Sequence, residues 1–331
     1  MLNIDRRLFS RLAIALAATT ALSMPALAAD KLKVALLVPG LANDGSFNQV
    51  AREAMEKLAE EGKVEFELRE QQADPATSEP VIRQYASRGY DLIIGHGIEL
   101  SEPILTVASS FPDIHFAASG GMDLADRLIA NVDGWTYDFA QLGYLNGFIA
   151  SKLNDVSVIG MVGGPELPFL VASHEGFKAA LKEAGSDAEL IEVYTGSFDD
   201  AQKSAEVTRG MIAQGAKVIW TSGDGIGNGV AAAASQGDAY TLGVSGDAGG
   251  LAKSVNIASV DLDMYPTYTA YIDDINAGSF GDKFFISGIG NGGLVATPIN
   301  DVGDIVPDDL GKEVSDLVSA LASGEKTLPQ F

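Results

Sequence analysis

The sequence predicts an α/β protein of two doubly wound parallel-sheet lobes joined by a hinge that the chain crosses several times. Three observations predict it: an internal repeat, the alternation of short apolar runs with amphipathic stretches, and polar glycine-bearing loops directly after those runs. In the repeat, Val34-Ala-Leu-Leu-Val-Pro-Gly40 recurs as Val158-Ile-Gly-Met-Val-Gly-Gly164. The helix-like stretch ending at Gly62 recurs in the one ending at Gly185, and Arg88–Gly97 recurs as Gln214–Gly223. The offsets of 124, 123 and 126 residues are nearly constant, which chance similarity does not sustain.

Each element follows from the local pattern. In the first half, apolar runs at 34–38, 91–95 and 114–118 read as strands, and amphipathic stretches at 47–60, 78–88 and 101–110 read as helices. The second half gives strands at 158–162, 189–193, 217–221 and 240–244, with helices at 169–184, 199–213 and 227–236. Near-continuous apolar strands alternating with helices imply parallel sheets covered on both faces. Asp133-Gly134 reads as a turn before the helix Phe139–Lys152, where the chain first changes lobe. A strand at 257–260, a return through Asp261–Pro266 into a helix at 266–277, and a third crossing near Phe284–Gly290 complete the hinge. The lobes are expected to hold residues 29–136 plus 262–284, and 137–261 plus 285–331.

Residues 1–28 read as a signal peptide: Arg6, Arg7 and Arg11, an apolar run from Leu12 to Leu22, then Ala26-Leu27-Ala28 for cleavage near Ala28 and Ala29. Arg6-Arg7-Leu8-Phe9 with Arg11 also resembles a twin-arginine export signal, and the general route stays open. Roughly 300 residues remain, enough for two domains. The 331-residue chain has no cysteine, hence no disulfide, thiolate metal site or lipid-bearing Cys. Its 45 acidic and 22 basic residues give a net charge of −23, which repels nucleic acid and anionic lipid. With no second long apolar segment, the exported chain is expected to be free in the periplasm and monomeric.

In doubly wound sheets the ligand lies beyond the carboxyl ends of the strands. That rule selects Leu41-Ala-Asn-Asp-Gly-Ser-Phe-Asn48 after the first strand, with a carboxylate (Asp44), a hydroxyl (Ser46), an aromatic face (Phe47) and an amide (Asn48). A turn with Ser46 capping the helix and Phe47 packed inward accounts for the same residues. The rule also selects His96, then Ser197-Phe198-Asp199-Asp200, Ser222–Gly229 with Asp224, and Gly246-Asp247. Phe47 and Phe198 would approach from opposite walls and sandwich a planar ring, while carboxylates and amides fix its edge. Trp135 and Tyr137 at the hinge either reach the ligand or pack the linker. Asp261 and Asp263 alternate, so one of them faces the cleft or both are solvated.

Gly223–Gly229 lacks the G-x-G-x-x-G spacing, and Asp224 sits where a pyrophosphate needs positive potential, so these glycines read as backbone approaching a neutral ligand. His96, His115 and His174 are the only histidines and none pairs with another ligand at i, i+4, so no metal, cofactor or catalytic residue is expected. His115 and Trp220 read as strand and core residues, and His174 as part of a solvated helix face.

Asn43-Asp-Gly-Ser-Phe-Asn-Gln49 closely resembles the D-x-S-F-N-Q signature of the basic membrane protein family, the substrate-binding proteins of ABC importers, which include purine-nucleoside-binding members. The likeness continues through Phe111–Ala117, Gly143–Gly147, Gly163-Gly164, Tyr194–Asp200, Ser222–Gly229 and Gly243–Asp247. It implies a type I periplasmic-binding-protein fold that closes on a ligand and docks on a membrane permease. Carried over, Phe47 stacks on a base with Asp44 and Asn48 at its polar edge. Phe198 stands where relatives often have Trp, and Asp247 matches the acid that grips ribose. Two positions depart from the pattern: Ala258–Asp263 lacks the usual lysine, and Ser119-Gly120 replaces an acid. The expected function is capture of a small neutral ligand, a purine nucleoside or nucleobase, without chemistry. A sugar or polyol ligand, or a nucleoside-processing enzyme using the same cleft, are the alternatives.

Overall fold

The computed structural model describes residues 31–223, 225–243 and 254–328; residues 1–28, read as a signal peptide, and Asp224 and Asp247 lie outside them. The first sheet contains β1 (Leu32–Leu37), β2 (Val64–Arg69), β3 (Leu92–Gly95), β4 (His115–Ser119), β5 (Val132–Tyr137) and β11 (Phe284–Ser287), in the order β11-β5-β4-β3-β1-β2. The second contains β6 (Val158–Gly163), β7 (Glu189–Tyr194), β8 (Val218–Ser222), β9 (Tyr240–Gly243), β10 (Asn256–Leu262) and β12 (Leu294–Ala296), in the order β12-β10-β9-β8-β6-β7. The two orders correspond strand for strand, as the repeat requires. All pairings are parallel except that of β12 with β10.

Central strands are apolar throughout because helices cover both faces: Val34 to Leu37 and Leu92 to Ile94 are fully buried. Outside the first sheet, α2 (Pro75–Ser87) and α3 (Ser101–Ala108) bury Ile82 and Ile104 against Leu37, Ile93 and Phe116. Outside the second, α6 (Ala201–Ala213) and α7 (Ile226–Gln236) bury Met211 and Val230 with Val162 and Ile219. The remaining faces share one continuous core, covered by α1 (Phe47–Glu60) and α8 (Tyr265–Ala277) in the first lobe. In the second lobe α4 (Phe139–Lys152), α5 (Pro168–Glu183) and α9 (Leu310–Ser323) cover it. The chain passes between sheets at β5–α4, β10–α8 and β11–β12. No described helix is long and apolar enough to cross a membrane.

Backbones of α4 and α5 touch at glycines. A Cβ on Gly143 would sit 1.7 Å from the Ser173 carbonyl oxygen, and one on Gly147 2.3 Å from that of Phe177. This contact fixes where α5 presents Ser173 and His174.

Asp133-Gly134 is not a turn but the middle of β5. Asp133 is fully buried, its Oδ1 accepting the backbone N–H groups of Gly281 (3.1 Å) and Lys283 (3.0 Å), which ties β11 alongside. Gly134 leaves room for Phe284, whose Cδ2 would lie 2.7 Å from an added Cβ. Strand β2 escapes an apolar-run criterion because Val-Glu-Phe-Glu-Leu-Arg alternates, as an edge strand does.

Candidate functional site

The carboxyl ends of the two sheets face each other across a cavity of ≈ 210 Å³, far above the roughly 10–15 Å³ that one water needs. From the first lobe come Phe47 and Asn48 at the start of α1, Glu99 after β3, Ser119-Gly120 after β4, and Trp135 to Tyr137 of β5. From the second come Phe139, Phe169 and Ser173 at the starts of α4 and α5, Phe198-Asp199 after β7, and Ser222-Gly223 at the end of β8. Six aromatic rings and two carboxylates line it, and no Lys, Arg or His is among the described lining residues.

The first wall is built on the start of α1, whose leading N–H groups need acceptors. Asp44 supplies them: its carboxylate accepts from the backbone N–H of Ser46 (2.9 Å), Asn48 (3.0 Å) and Gln49 (3.0 Å), and from Asn48 Nδ2 (2.7 Å). Because a carboxylate only accepts, Asn48 Nδ2 is fixed toward Asp44. Asn48 lines the cavity, and its Oδ1 is buried without a protein partner. Behind Phe47, His96 packs at 4.1 Å between centroids and continues to Trp135 at 4.9 Å. Its Nε2–H donates to the Phe47 carbonyl (3.0 Å), so Nδ1 is bare and accepts the Tyr268 hydroxyl (3.0 Å). Burial pushes the His96 pKa down to about 3 against a smaller opposing hydrogen bond, so the ring is neutral.

The second wall rests on His174, which is fully buried under α5. Its Nδ1 lies 2.7 Å from Glu192 Oε1 and its Nε2 2.6 Å from Ser222 Oγ. Glu192 in turn accepts from Lys178 Nζ at 2.8 Å. Ser173, one residue before His174, lines the cavity and has a buried Oγ without a protein partner.

The profile of a family described as ABC transporter substrate-binding protein, PnrA-like (Bmp), matches residues 31–318. The chain belongs to the Bmp family. A solved ABC-transporter solute-binding protein from Conexibacter woesei is 52% identical, covers 90% of this chain and 99% of its own, and superposes with a TM-score of 0.80. Basic membrane protein A1 of Borrelia garinii is 27% identical over 303 residues, 90% of this chain and 88% of its own. A purine-binding protein of Brucella abortus is 28% identical over 196 residues, 58% of this chain and 54% of its own. As a Bmp protein the chain is the substrate-binding component of an ABC transporter, with a small-molecule ligand and a permease as partners, and it has the type I periplasmic-binding fold.

Within this Bmp cavity, Phe47, Asn48 and Phe198, which the strand-end rule selects, line the walls, and so does Trp135 at the hinge. The structure places the other candidates elsewhere. Asp44 stands one step behind the cavity as the cap of α1, a role assigned to Ser46, whose hydroxyl makes no cap hydrogen bond. Ser46 itself is buried off the cavity. His96 is sealed behind Phe47 and Trp135 rather than lining the space. Asp261 pairs with Val295 of β12, and strand alternation gives the cavity position to Leu262 instead. His174 is no solvated helix residue, because Glu192 and Ser222 give both its nitrogens partners inside the fold. Of the glycines after β8, Gly223 lines the cavity, whereas Gly229 serves contact between α7 and α6: its Cβ would sit 2.0 Å from the Ala201 carbonyl oxygen.

Asp199 belongs to the segment after β7 that the strand-end rule selects, and Glu99, after β3, was within its reach. Phe139, Phe169 and Ser173 were not, since they enter from helix starts.

Proposed function

We propose that this Bmp protein captures a neutral purine nucleoside or nucleobase in the periplasm and delivers it, unaltered, to an ABC permease. The observation that carries the reading is the cavity lining: aromatic faces on both walls, polar side chains between them, and, among the described lining residues, carboxylates as the only charges. Aromatic faces suit a planar heterocycle, and Glu99 with Asp199 oppose phosphate or carboxylate groups. The purine-binding relative from Brucella abortus supports the same class. Phe47 and Phe198 are assigned to stacking and Asn48 to the base edge; Asp224 and Asp247, also expected as ligand contacts, lie outside the described residues. The two bodies, expected at residues 29–136 plus 262–284 and 137–261 plus 285–331, close on the ligand as a monomer and select the state the permease recognises; by strand membership the first runs through Tyr137 and Ser287, and Leu262 belongs to the second.

Isothermal calorimetry with adenosine, guanosine, inosine, adenine, hypoxanthine and ribose tests it. Saturable binding of at least one purine and none of free ribose is expected. Absence of heat with every purine overturns the ligand assignment, and release of free base with turnover overturns the transport role.

A further inference from the structure

Three strand ends lie abreast on the second sheet: Tyr194 of β7, Gly163 of β6 and Ser222 of β8 are paired in register. The His174 imidazole lies over the middle one. A Cβ at position 163 would stand 2.6 Å from Tyr194 Cδ1 and 3.0 Å from His174 Nε2, so the glycine makes the slot the ring occupies. The ring stacks on Tyr194 at 4.6 Å and 21°, and Trp220 closes its other side at 5.0 Å. Held this way, His174 connects Lys178 and Glu192 to a hydroxyl on the cavity wall.

The direction of this relay follows from hydrogen-bond chemistry. Glu192 is shielded from water, which favours its neutral form, yet the hydrogen bonds from Lys178 and His174 outweigh that and keep its pKa below the usual carboxylate value. An ionised carboxylate only accepts, so His174 Nδ1 carries the proton. Burial holds the His174 pKa below its ordinary value despite Glu192, which leaves a single proton on the ring and a bare Nε2. Ser222 has one proton, and Nε2 takes it. The lone pairs of Ser222 Oγ remain for the cavity.

We propose that Ser222 is a specificity-determining residue, held by His174 and Glu192 as a one-way hydrogen-bond acceptor, so that the ligand group against this wall is an N–H or O–H donor. The proposal rests on the cavity being the ligand site. His174 and Glu192 are positioning residues: they set the polarity of Ser222 without touching the ligand. The opposite wall uses the same device, since Asp44 fixes the Asn48 amide so that its oxygen remains. Ligands or analogues that offer only acceptors at this wall are rejected because two buried acceptors cannot satisfy each other.

Three measurements test this. The chain has three histidines, so long-range ¹⁵N–¹H NMR of ¹⁵N-histidine-labelled, ligand-free protein at pH 7 resolves His174, assigned with His174→Gln. A ring protonated at Nδ1 with a bare Nε2 is expected. A ring protonated at Nε2, or at both nitrogens, overturns the proposal whether or not any purine binds. The second measurement is calorimetry with adenosine against 2′-deoxy-, 3′-deoxy-, 5′-deoxy- and N6,N6-dimethyladenosine, each of which lacks one donor. In the parent protein one analogue loses at least tenfold in affinity, and in Ser222→Ala that same analogue loses less than threefold relative to adenosine. Identical losses in parent and variant for all four analogues overturn the role of Ser222. Failure of adenosine and every analogue to bind the parent overturns the purine reading instead, and the NMR result then decides the polarity alone. Covalent capture of Ser222 by a fluorophosphonate would mark it as an activated nucleophile and overturn its assignment as an acceptor.

Discussion

His96 and Ser222 occupy the same place in the two lobes, 126 residues apart in the repeat. Each closes the strand beside the first strand of its sheet, and each precedes a glycine that lines the cavity, Gly97 or Gly223. Yet one is an imidazole sealed behind the aromatic wall, and the other is a hydroxyl on the cavity surface. Duplication supplied the position, and divergence of one side chain gave each lobe a different task.

Phe47 lines the first wall and is the side chain assigned to stacking there. Phe47→Ala is expected to weaken adenosine binding by about 1–3 kcal/mol, the usual worth of a base on an aromatic side chain. Calorimetry on parent and variant reads it, and unchanged affinity would remove Phe47 from the site.

The acidic lining sets a charge rule. AMP is expected to bind at least a hundredfold more weakly than adenosine, because Glu99 and Asp199 oppose its phosphate. In a Glu99→Gln, Asp199→Asn double variant the gap narrows. Competition assays at low and high salt measure it, and equal affinities in the parent would refute the rule.

Neutral His96 makes stability fall with acid. The free imidazole titrates near 6.5 and the buried one near 3, so between these pH values the unfolded chain binds the extra proton. Stability then drops as pH falls through that window, by at most about 1.4 kcal/mol per pH unit. Urea unfolding of parent and His96→Gln at pH 6.5, 5.5 and 4.5 tests this. The variant should show the shallower slope.

Asp133 works in the opposite direction. Burial raises its pKa from 3.8 to about 6, against the N–H groups of Lys283 and Gly281, so the folded chain takes up the proton first. Its contribution to stability is lost as pH rises from about 4 to 6, by up to about 3 kcal/mol. Asp133→Asn keeps an oxygen for Gly281 and Lys283 and removes the titration. The stability difference between variant and parent should grow across that window and stay constant above it.

Helix contact at Gly143 leaves no space for a methyl group. Gly143→Ala is expected to cost about 3 kcal/mol or more, since backbone atoms of α5 must move. Gly210 in α6 has nothing within 4 Å of an added Cβ, and Gly210→Ala should instead stabilise by roughly 0.5–1 kcal/mol. Thermal unfolding of both variants separates crowding from helix propensity.

The two-lobed architecture was legible in the sequence because buried parallel strands are apolar runs and the repeat kept its register. Strand β5 was misread at Asp133-Gly134: a carboxylate and a glycine signal a turn locally, and only β11, about 150 residues later, supplies the N–H groups and the aromatic ring that make them strand residues. At the site, residues following strands were found, as Phe47, Asn48 and Phe198 illustrate. His174 was not, because a lone histidine on an amphipathic helix carries no mark of the Glu192 and Ser222 that the sheet brings to it. Asp44 shows the converse. A carboxylate in a strand-end loop looks like a ligand contact, but the unsatisfied N–H groups of α1 reach it first.

The last strand of each sheet is added after the chain has already left that sheet. Strand β11 and helix α8 return to the first lobe only after β10 has been made, and α8 carries Tyr268, the hydroxyl on which His96 depends. An amino-terminal fragment ending at Leu262 therefore lacks an edge strand and the partner of His96. The wall that Phe47, His96 and Trp135 build is complete only once α8 and β11 have joined the first half, across about 130 intervening residues.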